Sequence, residues 1–146
     1  MALKKKIIIG RRDRIDLPDL GLTDIDAKID TGAYSCVIHC LNIKMFQRDG
    51  RPWVRFVLYD DEEKKHEAPV LLYKTIKSSF GQIEHRCMIQ TTLRLFDKNH
   101  TIHLALSDRS TMKYPMLIGR RLLMEQFVVD VAKHNLSYKK KMKLKK

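Results

Sequence analysis

Three cysteines in 146 residues are too few, and odd in number, for a disulfide framework. Glycine (6) and proline (4) are sparse and scattered, so no flexible linker or low-complexity segment divides the chain. No apolar run approaches the roughly 18 residues of a membrane-spanning helix. After the basic start only Ile7, Ile8 and Ile9 form an apolar stretch, too short for the core of a secretion signal. Acidic residues are scarce beside basic ones, 17 against 29. A Gly-x-x-x-x-Gly-Lys-Ser/Thr loop is missing, so nothing indicates a nucleotide phosphate site. His66-Glu67 begins like the zinc motif His-Glu-x-x-His, but Val70 stands where the second histidine is needed. These absences lead us to expect a cytoplasmic protein of a reducing compartment, with no membrane association and no metal or organic cofactor.

What is present is charge and strand-like pattern. The net charge of +12 sets up a field that attracts polyanions. Six of the lysines, Lys139, Lys140, Lys141, Lys143, Lys145 and Lys146, crowd the C-terminus, and the rest of the chain stays basic without them. We expect residues 139–146 to be a solvated basic tail and residues 1–138 to form one domain. Hydrophobic residues at 44% are enough for a core at this length. Residues 24–30 alternate polar and apolar, as a half-buried strand does. Residues 35–39, 43–47 and 53–59 are strand-like, with a turn at Asp49-Gly50-Arg51-Pro52 between the last two. Residues 60–65 read as a charged turn, and 68–73 resume apolar character. A hairpin is expected around Gly81, from 76–80 and 84–91. Residues 101–106 alternate cleanly, 115–118 form a short buried run, 120–127 hold good helix formers, and 128–131 return to strand. The fold class is therefore mainly β, a closed or partly closed barrel with one short C-terminal helix.

The stretch that carries chemistry is Ala27-Lys28-Ile29-Asp30-Thr31-Gly32-Ala33. A carboxylate ends an apolar strand, a hydroxyl follows, and then a glycine that can turn. Alone it is an ordinary turn, with the aspartate bonding its own backbone. Downstream stands Pro115-Met116-Leu117-Ile118-Gly119-Arg120, an apolar strand, a glycine and a helix start. The pairing of these blocks resembles retropepsin-like aspartic proteases. Together with Leu106 to Leu123 and Val129-Asp130-Val131, it is similar to a bacterial family long labelled ATP-dependent zinc proteases. Some of its members sit beside an ATP-grasp glutamate ligase.

The resemblance implies peptide-bond hydrolysis with Asp30 as the catalytic carboxylate and Thr31, Gly32 and Ala33 as its active-site loop. Such chemistry needs two carboxylates sharing one proton. The chain has a single Asp-Thr-Gly, so the second carboxylate is expected from a homodimer on a two-fold axis. The hairpin around Ser78-Ser79-Phe80-Gly81-Gln82 is the expected cover of the substrate, with Ser78, Ser79 and Gly81 touching it. Arg86, Arg109 and Arg120 are expected to contact substrate, and with Arg121 they suit carboxylates. The association with glutamate ligation makes acidic, glutamate-rich peptides the first candidates.

Three rivals remain. Zinc would need ligands from Cys36, His39 and Cys40, from His85 and Cys87, or from His100 and His103, and none of these spacings fits a known site. A cysteine nucleophile lacks an activating context. A basic binding module on the same fold, taking RNA, the ribosome or an acidic protein, is the main alternative, although the sequence shows no interleaved aromatic and basic motif.

Overall fold

The computed structural model describes residues 5–77, 80–108, 113–124 and 126–145. Period-two alternation of the strands is what builds it. In β2 (Arg12–Leu17), and in β3 (Leu22–Ile29) from Ile25 onward, every second side chain is buried, and Ile15, Leu17, Ile25, Ala27 and Ile29 enter the core. β4 (Cys36–Arg48) contributes Cys36, Ile38 and Cys40; β8 (Ile83–Leu95) and β9 (Lys98–Ser107) add Ile89, Leu93, Ile102, Leu104 and Leu106.

These strands close a ring. β10 (Met116–Ile118) pairs parallel with β3 and antiparallel with β4, and the order runs β10, β3, β2, β8, β9, β4 and back to β10. The result is the mainly β closed barrel expected from the pattern. β7 (Leu72–Lys77) pairs with β8 outside the ring, giving the hairpin expected around Gly81, whose φ of +81° suits glycine. β5 (Arg51–Leu58) and β6 (Asp61–Pro69) extend from β4 as an annex. The 35–39 and 43–47 strands prove to be one, interrupted by a register shift between Leu41 and Lys44. Residues 61–65, expected as turn, belong to β6. The Asp49-Gly50 turn has φ of +52° and +76°, as a tight hairpin requires.

Two expectations at the C-terminal end are corrected. The helix expected over 120–127 is only α1 (Arg120–Leu123). Met124 turns to extended backbone, and buried Phe127 opens β11 (Phe127–Val129), which pairs parallel with β1 (Ile7–Ile9). A packing partner overrides helix propensity there. Four of the lysines expected in a solvated tail, Lys139, Lys140, Lys141 and Lys143, lie in α2 (Leu136–Leu144). Its N-terminal N–H groups are satisfied from the barrel: Ser137 and Tyr138 donate to the Asp13 carboxylate at 2.9 and 3.1 Å. Lys141 bonds Asp16 and Asp24 at 3.0 and 2.6 Å, and Arg14 lies 4.7 Å over the Tyr138 ring.

Asp13 is 1% exposed and also accepts from the Arg14 N–H. Burial pushes its carboxyl above the ordinary range, against the pull of its three backbone donors. A raised folded value means that protonation favours the fold. Its contribution to stability is fullest below about pH 4 and declines as pH rises through the raised value. Asp13→Asn keeps one acceptor oxygen and is expected to cost about 2 kcal/mol, read from urea midpoints. That cost is expected to be larger near pH 4 than near pH 7. The reverse trend would mean that the N–H donors dominate the titration.

Candidate active site

Asp30 follows β3 directly, at the barrel mouth where β10 is inserted between β3 and β4. The Asp30 N–H donates to the Ile118 carbonyl at 2.9 Å, which ties the start of the Asp-Thr-Gly loop to the end of β10. The loop then folds on itself. The Gly32 N–H donates to Asp30 Oδ1 at 3.1 Å, and the Ala33 N–H donates to the Asp30 carbonyl at 3.2 Å.

α1 clamps the loop from the other side. The Arg120 and Arg121 N–H groups donate to the Ala33 and Tyr34 carbonyls at 2.8 and 3.0 Å. The Arg120 guanidinium reaches back to the Thr31 and Gly32 carbonyls at 3.4 and 3.2 Å and stacks on Tyr34. Gly119 permits this approach, because a Cβ there would lie 2.5 Å from the Ser35 carbonyl oxygen. The two sequence blocks read separately are thus one structural unit. Asp30 is half-buried, while Thr31 and Gly32 are exposed. Among the described residues nothing hydrogen-bonds the Thr31 hydroxyl.

A cleft of about 510 Å³ opens beside Asp30. Gly32, Ala33 and Tyr34 form one wall, Ala105, Leu106 and Ser107 of β9 another, and Lys74, Arg86 and Met88 come from the β7–β8 hairpin. Among the described residues Asp30 is the only acidic side chain in its lining, against Lys74, Arg86 and Arg120. The sequence-derived site residues divide accordingly. Asp30, Gly32, Ala33, Arg86 and Arg120 come together, and Thr31 lies in the same loop. Gly81 sits at the hairpin tip and does not line the cleft. Ser78, Ser79 and Arg109 lie outside the described residues. Lys74 escaped the sequence reading. Its signal was available only through strand register, since Lys74 is paired across the hairpin with Arg86.

The rival chemistries find poor ground. Burial pushes the thiols of Cys36 and Cys87 up to about 11 and that of Cys40 up to about 12, far from the thiolate an activated nucleophile needs. Among the described residues no three His, Cys, Asp or Glu side chains converge as a metal ion would require. His100 and His103 line a separate recess with Cys36 and Arg121, where Arg121 approaches the His103 ring. Among the described residues no helix is long and apolar enough to cross a membrane.

Comparison with known proteins bears on this arrangement. Residues 8–140 match the sequence profile of the RimB-like family, described as retropepsin-like aspartic endopeptidase RimB. A protein of Desulfotalea psychrophila named probable alpha-L-glutamate ligase is 38% identical over 132 residues, and one of Shewanella halifaxensis with the same name is 36% identical over 130. These matches take in 87% and 86% of this chain but 28% of each relative, so the chain corresponds to little more than a quarter of those longer proteins. A solved structure of a Legionella pneumophila protein of unknown function superposes with a TM-score of 0.75 at 28% identity, covering 91% of this chain and 99% of that one.

Proposed function

The chain belongs to the RimB-like family of retropepsin-like aspartic endopeptidases, and from that premise we propose that it hydrolyses peptide bonds as a homodimer through a shared Asp30/Asp30 dyad. The observation that carries the reading is the exposed, clamped Asp30 loop at the edge of a cleft. A lone carboxylate supplies one of the two groups the reaction needs, and one such loop per chain makes a two-fold partner the source of the other. In this reading Gly32 lets a facing backbone approach, and the Thr31 hydroxyl, which no described residue bonds, braces the facing loop.

In the dyad one carboxylate is ionised and the other protonated, because like charges so close do not both ionise. The ionised member takes a proton from water as the water oxygen attacks the scissile carbonyl carbon. The protonated member donates to the carbonyl oxygen. As the tetrahedral intermediate collapses, the C–N bond breaks and the amine nitrogen receives a proton from the dyad. The β7–β8 hairpin covers the cleft and excludes water. Arg120 is a positioning residue, held by the loop carbonyls it bonds.

Lys74 and Arg86 supply the specificity in this reading. They give the cleft a positive wall suited to acidic side chains, with glutamate-rich peptides the first substrates to test. A peptide library enriched in such sequences, read by mass spectrometry from pH 4 to 8, tests the function. We expect cleavage that survives a metal chelator. Cleavage abolished by the chelator would replace this mechanism with a metal-dependent one. Lys74→Ala with Arg86→Ala is expected to raise KM for acidic peptides about tenfold while leaving neutral peptides within about twofold. Equal losses on both peptide classes would remove the acidic specificity.

A further inference from the structure

We propose that the outer face of the β4–β6 annex is a binding surface for single-stranded RNA. β5, β6 and residues 44–48 of β4 make no pairing that closes the barrel, and among the described residues none of theirs lines the Asp30 cleft. Register places Lys44, Phe46 and Arg48 of β4 opposite Arg55, Trp53 and Arg51 of β5, on one face. All four cations are exposed, and the two rings between them are half-buried.

The guanidinium groups lie over the two tilted rings. The Arg48 guanidinium lies 4.3 Å from the Trp53 ring centre and 5.2 Å from that of Phe46. The Arg55 guanidinium also lies 5.2 Å from the Phe46 ring centre, and the two rings are 6.4 Å apart. Glu67 of β6 bonds both arginines, at 3.1 and 3.3 Å, and orients their planes. One carboxylate against four cations leaves the face strongly positive.

This chemistry selects the ligand. Positive charge alone would serve any polyanion, including an acidic polypeptide. Guanidinium groups laid over aromatic rings add flat faces on which nucleobases stack, and such stacking is tolerant of sequence. A polyglutamate chain has no planar group to use them. Single-stranded RNA offers bases already unpaired, whereas duplex nucleic acid would first have to open.

Trp53 is the only tryptophan of the chain, so base stacking has a direct optical readout. The full chain would be titrated with an oligouridine about 12 nucleotides long, following tryptophan quenching and anisotropy of the labelled RNA. We expect saturable quenching that weakens steeply with salt. Lys44→Glu with Arg51→Glu is expected to weaken binding at least about tenfold and to lower the log–log salt slope by about 0.7 per lost phosphate contact. Trp53→Ala is expected to weaken it about tenfold by anisotropy. Lys140→Glu on α2 with Lys145→Glu just after it, both exposed, serves as the control and is expected to change it less than about threefold. Absence of quenching would overturn the proposal, as would equal losses in the control. A polyglutamate peptide that displaces the RNA at equal concentration would reassign the face to acidic polypeptides. Should Trp53→Ala fail to fold, the charge-reversal pair, whose side chains are exposed, decides the matter.

Discussion

Asp30→Asn is expected to lower peptide cleavage by at least about 10³-fold, because the amide neither takes a proton from water nor holds one to donate. The change is nearly isosteric. Its side-chain oxygen still accepts from the Gly32 N–H, the bond now 3.1 Å long, so the loop and the fold are expected to survive. The variant therefore separates catalysis from stability, and an unchanged thermal midpoint should accompany the lost activity. It also reports on the dyad. Mixing wild-type chains with a tenfold excess of Asp30→Asn chains, under conditions of subunit exchange, places most wild-type chains in mixed dimers. Activity per wild-type chain is then expected to fall to about a tenth. Undiminished activity in the mixture would show that one chain suffices, and the shared-dyad mechanism would be lost.

Gly119→Ala is the second large effect. Gly119 has φ −86° and ψ 170°, a conformation any residue adopts, so the constraint is space and not strain. A Cβ would lie 2.5 and 2.6 Å from the Ser35 and Tyr34 carbonyl oxygens, and both are backbone atoms that cannot swing aside. The Tyr34 carbonyl also holds the first turn of α1 through the Arg121 N–H. Relief of the clash separates the Asp-Thr-Gly loop from α1. We expect a loss of about 3 kcal/mol, a fall in thermal midpoint of roughly 6–12 °C, and a displaced Asp30. Gly10→Ala provides the comparison, since its Cβ would run into the Lys133 carbonyl, away from the loop. It is expected to destabilise comparably while sparing activity measured well below its melting temperature. A Gly119→Ala protein as stable as wild type would show that the loop and α1 yield to each other at little cost.

The Asp-Thr-Gly and Leu-Ile-Gly-Arg blocks were legible in the sequence because each is local: an apolar strand, a polar turn, a glycine. The barrel was legible for a similar reason, since alternation with period two marks the buried face of each strand. The limits of the C-terminal elements were not. Residues 124–127 have good helix formers, yet pairing of Phe127 with Ile7, 120 residues away, ends the helix early. The lysines from Lys139 onward have the composition of a solvated tail. Asp13, Asp16 and Asp24, remote in sequence, anchor those up to Lys143 in a helix.

By itself, then, the sequence determined which residues face the core, where the carboxylate sits and which family the chain resembles. All of these depend on near neighbours along the chain. The tertiary structure decided what depends on register between distant strands. It placed Lys74 beside Arg86 on the cleft wall and excluded Gly81 from it. It also set the alternating basic and aromatic residues Lys44, Phe46 and Arg48 of β4 against Arg51, Trp53 and Arg55 of β5, because cross-strand neighbours share a side of the sheet whatever their separation in sequence.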